Sequence, residues 1–114
     1  MFTNKLIQEQ KIKEKIMIIN FTARHFEASQ QLKDYAFETV NKLPQYFDRI
    51  ISCAIVLTPS ASTKEPQKAE IHIKIPNKTL KAVGQSKKYE KAISSAVDSL
   101  SRQLNRYKEK KFTH

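Results

Sequence analysis

The chain has 114 residues, 39% of them hydrophobic and 28% charged, which bounds it to one globular domain with a modest core. A formal net charge of +10 favours polyanionic partners, nucleic acid first and an anionic membrane surface second. One cysteine, Cys53, excludes an internal disulfide, and one glycine, Gly84, excludes a glycine-rich phosphate loop.

Residues 1–15 are polar and mixed in charge, with scattered Leu6, Ile7 and Ile12. They read as an extension, disordered or loosely helical. Met17 is an alternative start, because the domain pattern begins there. The N-terminus is basic but lacks a signal-peptide apolar region, and no apolar run approaches the roughly 20 residues of a membrane helix. With an unpaired cysteine this fits a cytoplasmic protein and argues against a membrane partner.

The β-branched and aromatic run Ile16 to Thr22 reads as a strand, with Ile19 and Phe21 on one face. Ser29 is a good N-cap for a helix running to about Leu43, where Pro44 stops it. Leu32, Ala36, Thr39, Val40 and Leu43 form its inner stripe. Ile50 to Leu57 is almost wholly apolar and reads as a central strand. Thr58 to Pro66 is a loop with two prolines. Gln67 to Ile75 alternates strictly: Ala69, Ile71, Ile73 and Ile75 face one way, Lys68, Glu70, His72 and Lys74 the other. Pro76 to Lys78 is a turn, Thr79 to Val83 a return strand, and Gly84 releases the chain towards a last helix.

That helix, expected over Ser86 to Lys111, has two faces. At about 100° per residue, Tyr89, Ile93, Ala96, Val97, Leu100, Leu104 and Tyr107 fall within an arc of roughly 100°. Lys87, Lys88, Lys91, Arg102 and Arg106 fall opposite, with Lys110 close to the same line. The span from Lys87 to Arg106 is about 28 Å, a track for several phosphates. From Ser86 onwards eight Lys or Arg outnumber three acids, so +5 of the +10 lies in this stretch; Asp98 and Glu109 dilute the basic side.

The pattern is β-α-β-β-β-α. Each helix has one apolar stripe and the sheet one apolar face, so both helices should lie on that face. The fold expected is an α+β two-layer sandwich with a four-stranded sheet. Residues 16–111 form the single domain, and 112–114 a short tail. The layout resembles double-stranded-RNA-binding domains, which read A-form shape rather than sequence.

No nucleophile motif, no metal-ligand spacing among His25, His72, His114 and Cys53, and no acid pair for proton transfer is present. The chain therefore reads as a binding protein rather than an enzyme, without metal, cofactor or small-molecule substrate. His72 is expected on a solvent face and Cys53 in the core. The basic residues are the informative set, because Lys and Arg give phosphate charge-assisted donors and Arg takes two oxygens at once. A second cluster comprises Arg24 and His25 after the first strand, with Lys42 and Arg49 around the end of the first helix. Beside Arg49 lie Phe47, expected as core filler, and Tyr46, a candidate for stacking on unpaired bases.

Three sequence blocks carry a family resemblance. They are Ile19-Asn20-Phe21-Thr22-Ala23-Arg24-His25-Phe26-Glu27, Lys42-Leu43-Pro44-Gln45-Tyr46-Phe47-Asp48-Arg49-Ile50, and the run Val83-Gly84-Gln85, Ala92-Ile93 and Asp98 to Leu104 with its basic tail. In this order they resemble the short ribosome hibernation-promoting factors, relatives of the ribosome-associated inhibitor and once called sigma-54 modulation proteins. The resemblance spans about Met17 to Lys111. It implies binding to the small ribosomal subunit and its RNA near the decoding centre, over the A and P sites, with translation blocked in stationary phase or stress. It also implies ribosome dimerisation together with a separate modulation factor. Carried over are Arg24, Lys42, Arg49, Arg102 and Arg106, with Lys108, Lys110 and Lys111 by tail position. Two features depart from the family: Lys88-Tyr89-Glu90 displaces an aromatic by one position, and residues 1–15 have no counterpart. The alternatives are a protein-binding regulator, such as a transcription-factor modulator acting through the sheet near His72 and Lys74, and a general binder of structured RNA.

Overall fold

The computed structural model describes residues 17–112. The expectations for residues 1–15 and for the last two residues lie outside that range. The elements are β1 (Ile18–Ala23), α1 (Gln30–Val40), a 3-10 turn (Leu43–Gln45), β2 (Ser52–Pro59), β3 (Gln67–Ile75), β4 (Lys78–Ser86) and α2 (Tyr89–Phe112). The expected β-α-β-β-β-α order and two-layer sandwich are both present. The strands lie in the order β1-β2-β3-β4. β1 runs parallel to β2, as a helical crossover allows, and the other pairs are antiparallel.

Register aligns the apolar positions in rows across the sheet. Phe21, Ile55, Ile71 and Ala82 form one row; Ile19, Cys53, Ile73 and Leu80 the next; Ala23, Leu57, Ala69 and Gly84 a third. Against this face pack Leu32, Ala36 and Val40 from α1 and Ala92, Ile93, Ala96, Leu100 and Leu104 from α2, all buried. The opposite face carries Asn20, Ala54, His72 and Lys81 in one row and Thr22, Val56, Glu70 and Val83 in another. No described helix covers it.

Ser29 caps α1 as its sequence position suggests, its Oγ accepting from the Leu32 N–H at 3.1 Å. α1 ends at Val40, three residues short of the expected boundary. Pro44 has no N–H to bond the Val40 carbonyl four residues back, and its ring crowds that carbonyl, so the disturbance reaches back beyond the proline itself. Asn41 and Lys42 close the end through Phe37 and Thr39 carbonyls, and Leu43 is still buried.

The larger corrections fall on β4 and α2. β4 is longer than Thr79 to Val83, because pairing continues from Lys78 opposite Ile75 to Ser86 opposite Gln67. Gly84 therefore lies inside the strand instead of at its exit. Its role is close approach: a Cβ there would sit 2.9 Å from the Ala92 carbonyl carbon and 3.1 Å from the Ala96 nitrogen. α2 begins at Tyr89, not Ser86, and Lys87 and Lys88 form the bend before it. Among the described residues, no helix is long and apolar enough to cross a membrane.

Candidate nucleic-acid interface

α2 is fixed to the body from Tyr89 to Tyr107, which fixes where its outer face points. Near its start, the Tyr89 ring stacks on Phe26, with centroids 4.6 Å apart and planes 5° from parallel. Burial raises the Tyr89 hydroxyl pKa above its ordinary value. In the middle, the Ser94 hydroxyl hydrogen-bonds Tyr35 of α1, and the Gln103 amide donates to the Lys81 carbonyl at 3.1 Å and to Ser99 Oγ at 3.3 Å. Near its end, Tyr107 meets Phe47 edge to face at 5.6 Å.

With the apolar stripe turned inward, Lys91, Arg102, Arg106, Lys108 and Lys110 are exposed. Lys91 to Lys110 spans about 28 Å of helix. None of these five forms an ion pair with a described residue; the recorded ion pairs are Lys68–Glu70 at 3.6 Å and His72–Glu70 at 3.4 Å, on the open sheet face. Asp98 and Glu109 are also exposed and dilute the charge, as the sequence suggests.

The aromatic contacts assign the remaining cations to the two ends of this helix. Phe26 on Tyr89 sets the Arg24-His25 loop beside the Lys87-Lys88 bend; His25 has φ 69°, a left-handed turn that redirects the chain after β1. Phe47 on Tyr107 brings the Tyr46 to Arg49 segment beside Arg106 and Lys110. Arg24, His25, Lys42, Arg49, Lys87 and Lys88 are all exposed. The second cluster is thus divided, with Arg24 at one end of α2 and Arg49 at the other. Tyr46 is half-buried and packs on the core, like Phe47. The side chain of Lys111 lies outside the description.

Sequence reasoning missed Lys78, which it placed in a turn. Lys78 begins β4, and its ammonium lies 5.6 Å from the centroid of the Tyr107 ring. Only the pairing of Lys78 with Ile75, followed through to α2, reveals that position.

Cys53 is buried, and desolvation pushes its thiol up to about 12. Among the described residues no cluster of His, Cys, Asp or Glu is arranged to hold a metal ion. What the arrangement offers is a set of exposed charge-assisted donors along one helix.

A family model described as sigma 54 modulation protein / S30EA ribosomal protein matches residues 19–111. The chain belongs to that family. Two relatives named ribosome hibernation promoting factor illustrate the similarity. That of Pseudomonas putida is 31% identical over 94 residues, covering 82% of this chain and 89% of the relative. That of Escherichia coli K12 is 32% identical over 98 residues, covering 86% of this chain and all of the relative. Two solved structures share the fold seen here. The Thermus thermophilus Protein Y N-terminal domain has TM-score 0.69 and 24% identity, covering 81% of this chain and 99% of that one. A ribosomal subunit interface protein from Coxiella burnetii has TM-score 0.72 and 21% identity, covering 81% and 98%.

Proposed function

We propose that this protein is a bacterial ribosome hibernation factor, a cytoplasmic, non-enzymatic binder that holds ribosomes inactive in stationary phase or stress. The observation that carries the reading is the exposed basic face of α2, Lys91, Arg102, Arg106 and Lys110, with Lys108 exposed on another side of the same helix, none of them ion-paired with a described residue. Arg24, Lys87 and Lys88 extend that row at one end, and Lys42 and Arg49 at the other. The names of the relatives support the choice of ribosome over other polyanions.

The partner proposed is the small ribosomal subunit, contacted through its RNA near the decoding centre, over the A and P sites. Phosphates and helical shape suit these side chains better than base edges, because the row is charged and its one aromatic candidate, Tyr46, packs on the core. Formation of inactive or dimeric ribosomes, with a separate modulation factor, belongs to the same proposal.

The test is sedimentation of stationary-phase lysate through a sucrose gradient, with the protein probed in each fraction. Co-migration with ribosomes that is lost at high salt is expected, since counterion release dominates such interfaces. The double variant Arg102→Glu, Arg106→Glu should stay folded and leave the ribosomal fractions. Wild-type protein remaining at the top of the gradient at low salt would overturn the proposal.

A further inference from the structure

A cleft of about 250 Å³ opens between the start of β4 and the last turns of α2. Its lining is Lys78, Leu80, Gln103, Arg106, Tyr107 and Lys110: three cations and no acid. Leu80, 6% exposed, supplies an apolar floor, and half-buried Tyr107 a wall.

Arg106 and Lys110 have an ordinary explanation on their own. Cations are favoured in the last turns of a helix, where carbonyl dipoles point outward. Lys78, a lysine beside a turn, would ordinarily point into solvent, but here it lines the same cleft as those two. It arrives from another element, delivered by the Pro76-Asn77 turn, in which Asn77 takes φ 68°. A third positive charge at a hollow that already has two adds Coulomb repulsion, which solvent screens because all three are exposed. None of the three is ion-paired with a described residue, and the Tyr107 ring at 5.6 Å gives Lys78 only a weak cation–π contact. An anion held among them relieves the repulsion.

We propose that this cleft is a phosphate-binding subsite in which Lys78 acts with Arg106 and Lys110. The proposal rests on the reading above that the basic surface binds RNA, and adds Lys78 to it. The guanidinium of Arg106 presents paired donors to two phosphate oxygens, and the two ammonium groups supply compact charge. Liquid water occupies about 30 Å³ per molecule, so 250 Å³ holds a phosphate with the sugar attached to it. Gln103 is a positioning residue, because its amide ties this part of α2 to the Lys81 carbonyl. The phosphate has two possible sources, the RNA backbone and a free phosphate ester.

The experiment uses the full chain as wild type, Lys78→Gln and Lys78→Arg. Its first arm measures affinity for purified small ribosomal subunits between 50 and 200 mM salt. Its second titrates each protein with pyrophosphate and follows backbone amide NMR shifts. If the phosphate is in RNA, Lys78→Gln lowers the salt slope by about one, so that wild type loses about fourfold more affinity across this range than the variant does. Lys78→Arg then restores the slope. If the source is a free ester, pyrophosphate shifts the Lys78 and Gln103 amides saturably below millimolar in wild type and not in Lys78→Gln, while the salt slope is unchanged. An unchanged slope together with unmoved amides overturns the subsite. A further variant, Lys91→Glu with Arg102→Glu, lies outside the cleft. If it abolishes subunit binding while Lys78→Gln is silent, only the subsite fails. If it too binds like wild type, the reading of the basic surface fails as well.

Discussion

Gly84→Ala adds a single methyl to β4 where α2 crosses it, and two effects of opposite sign compete. Removing a glycine from a strand interior normally stabilises by about 0.5–1 kcal/mol, because the unfolded chain loses freedom. Here the new Cβ meets helix backbone at 2.9 Å and 3.1 Å and overlaps the Ala92 carbonyl oxygen. Backbone has no rotamer into which it can retreat, so α2 must lift from the sheet along a seam that includes Ala96 and Leu100. Overpacking of this kind costs about 1–3 kcal/mol and sometimes more. Overlap with main chain places the site at the upper end, for a net loss of about 2 kcal/mol. For a domain of this size each kcal/mol moves Tm by about 4–8 °C, so a fall of about 8–16 °C is expected. Thermal unfolding followed by circular dichroism on the full chain measures it. A Tm equal to or above wild type would refute the close approach of β4 and α2.

Ser29→Ala removes the α1 cap and should lower stability by about 1 kcal/mol in urea unfolding, whereas Ser29→Asp should retain it; equal losses in both would contradict capping. Cys53 should resist a thiol-specific disulfide reagent at pH 8 in the native state and react at once in guanidinium, since burial holds its thiol pKa near 12; rapid native labelling would refute the burial. Glu70 is held below 4.5, chiefly by the hydrogen bond with His72, with Lys81 and Lys68 adding attraction against an opposing desolvation. A depressed carboxyl stabilises the fold above its unfolded pKa, and that contribution is lost as pH falls through the folded value. The NMR titration midpoint of the Glu70 side chain should therefore rise towards 4.5 in His72→Ala, and a midpoint that does not move would remove His72 as the cause.

The fold was legible in the sequence wherever one local period dominated. The alternation from Gln67 to Ile75 marked β3 to the residue, and the 100° stripe from Tyr89 to Leu104 marked the buried side of α2. Legibility ended where distant contacts decide. Nothing local shows that Ser86 pairs with Gln67, so β4 was read three residues short at its C-terminal end, and Lys87 and Lys88 were assigned to the helix. The effect of Pro44 reaches further back along α1 than a stop signal suggests. The cations of the candidate site were visible by type, but their division between the two ends of α2 depends on Phe26–Tyr89 and Phe47–Tyr107, pairs about sixty residues apart. Lys78 carried no signal, because a lysine beside a turn is the commonest of solvated residues.

The parallel placement of β1 dictates an order of assembly. β2, β3 and β4 are successive antiparallel neighbours and close through local loops, but β1 reaches β2 only after the whole α1 crossover has formed. During synthesis β1 emerges before β2, its one neighbour among the described strands, so its pairing waits until the crossover has been made. Until then the Ser52–Pro59 strand presents an unpaired edge, and the β1 of a second molecule fits that edge as well as its own does. That edge is where this topology permits strand exchange between copies.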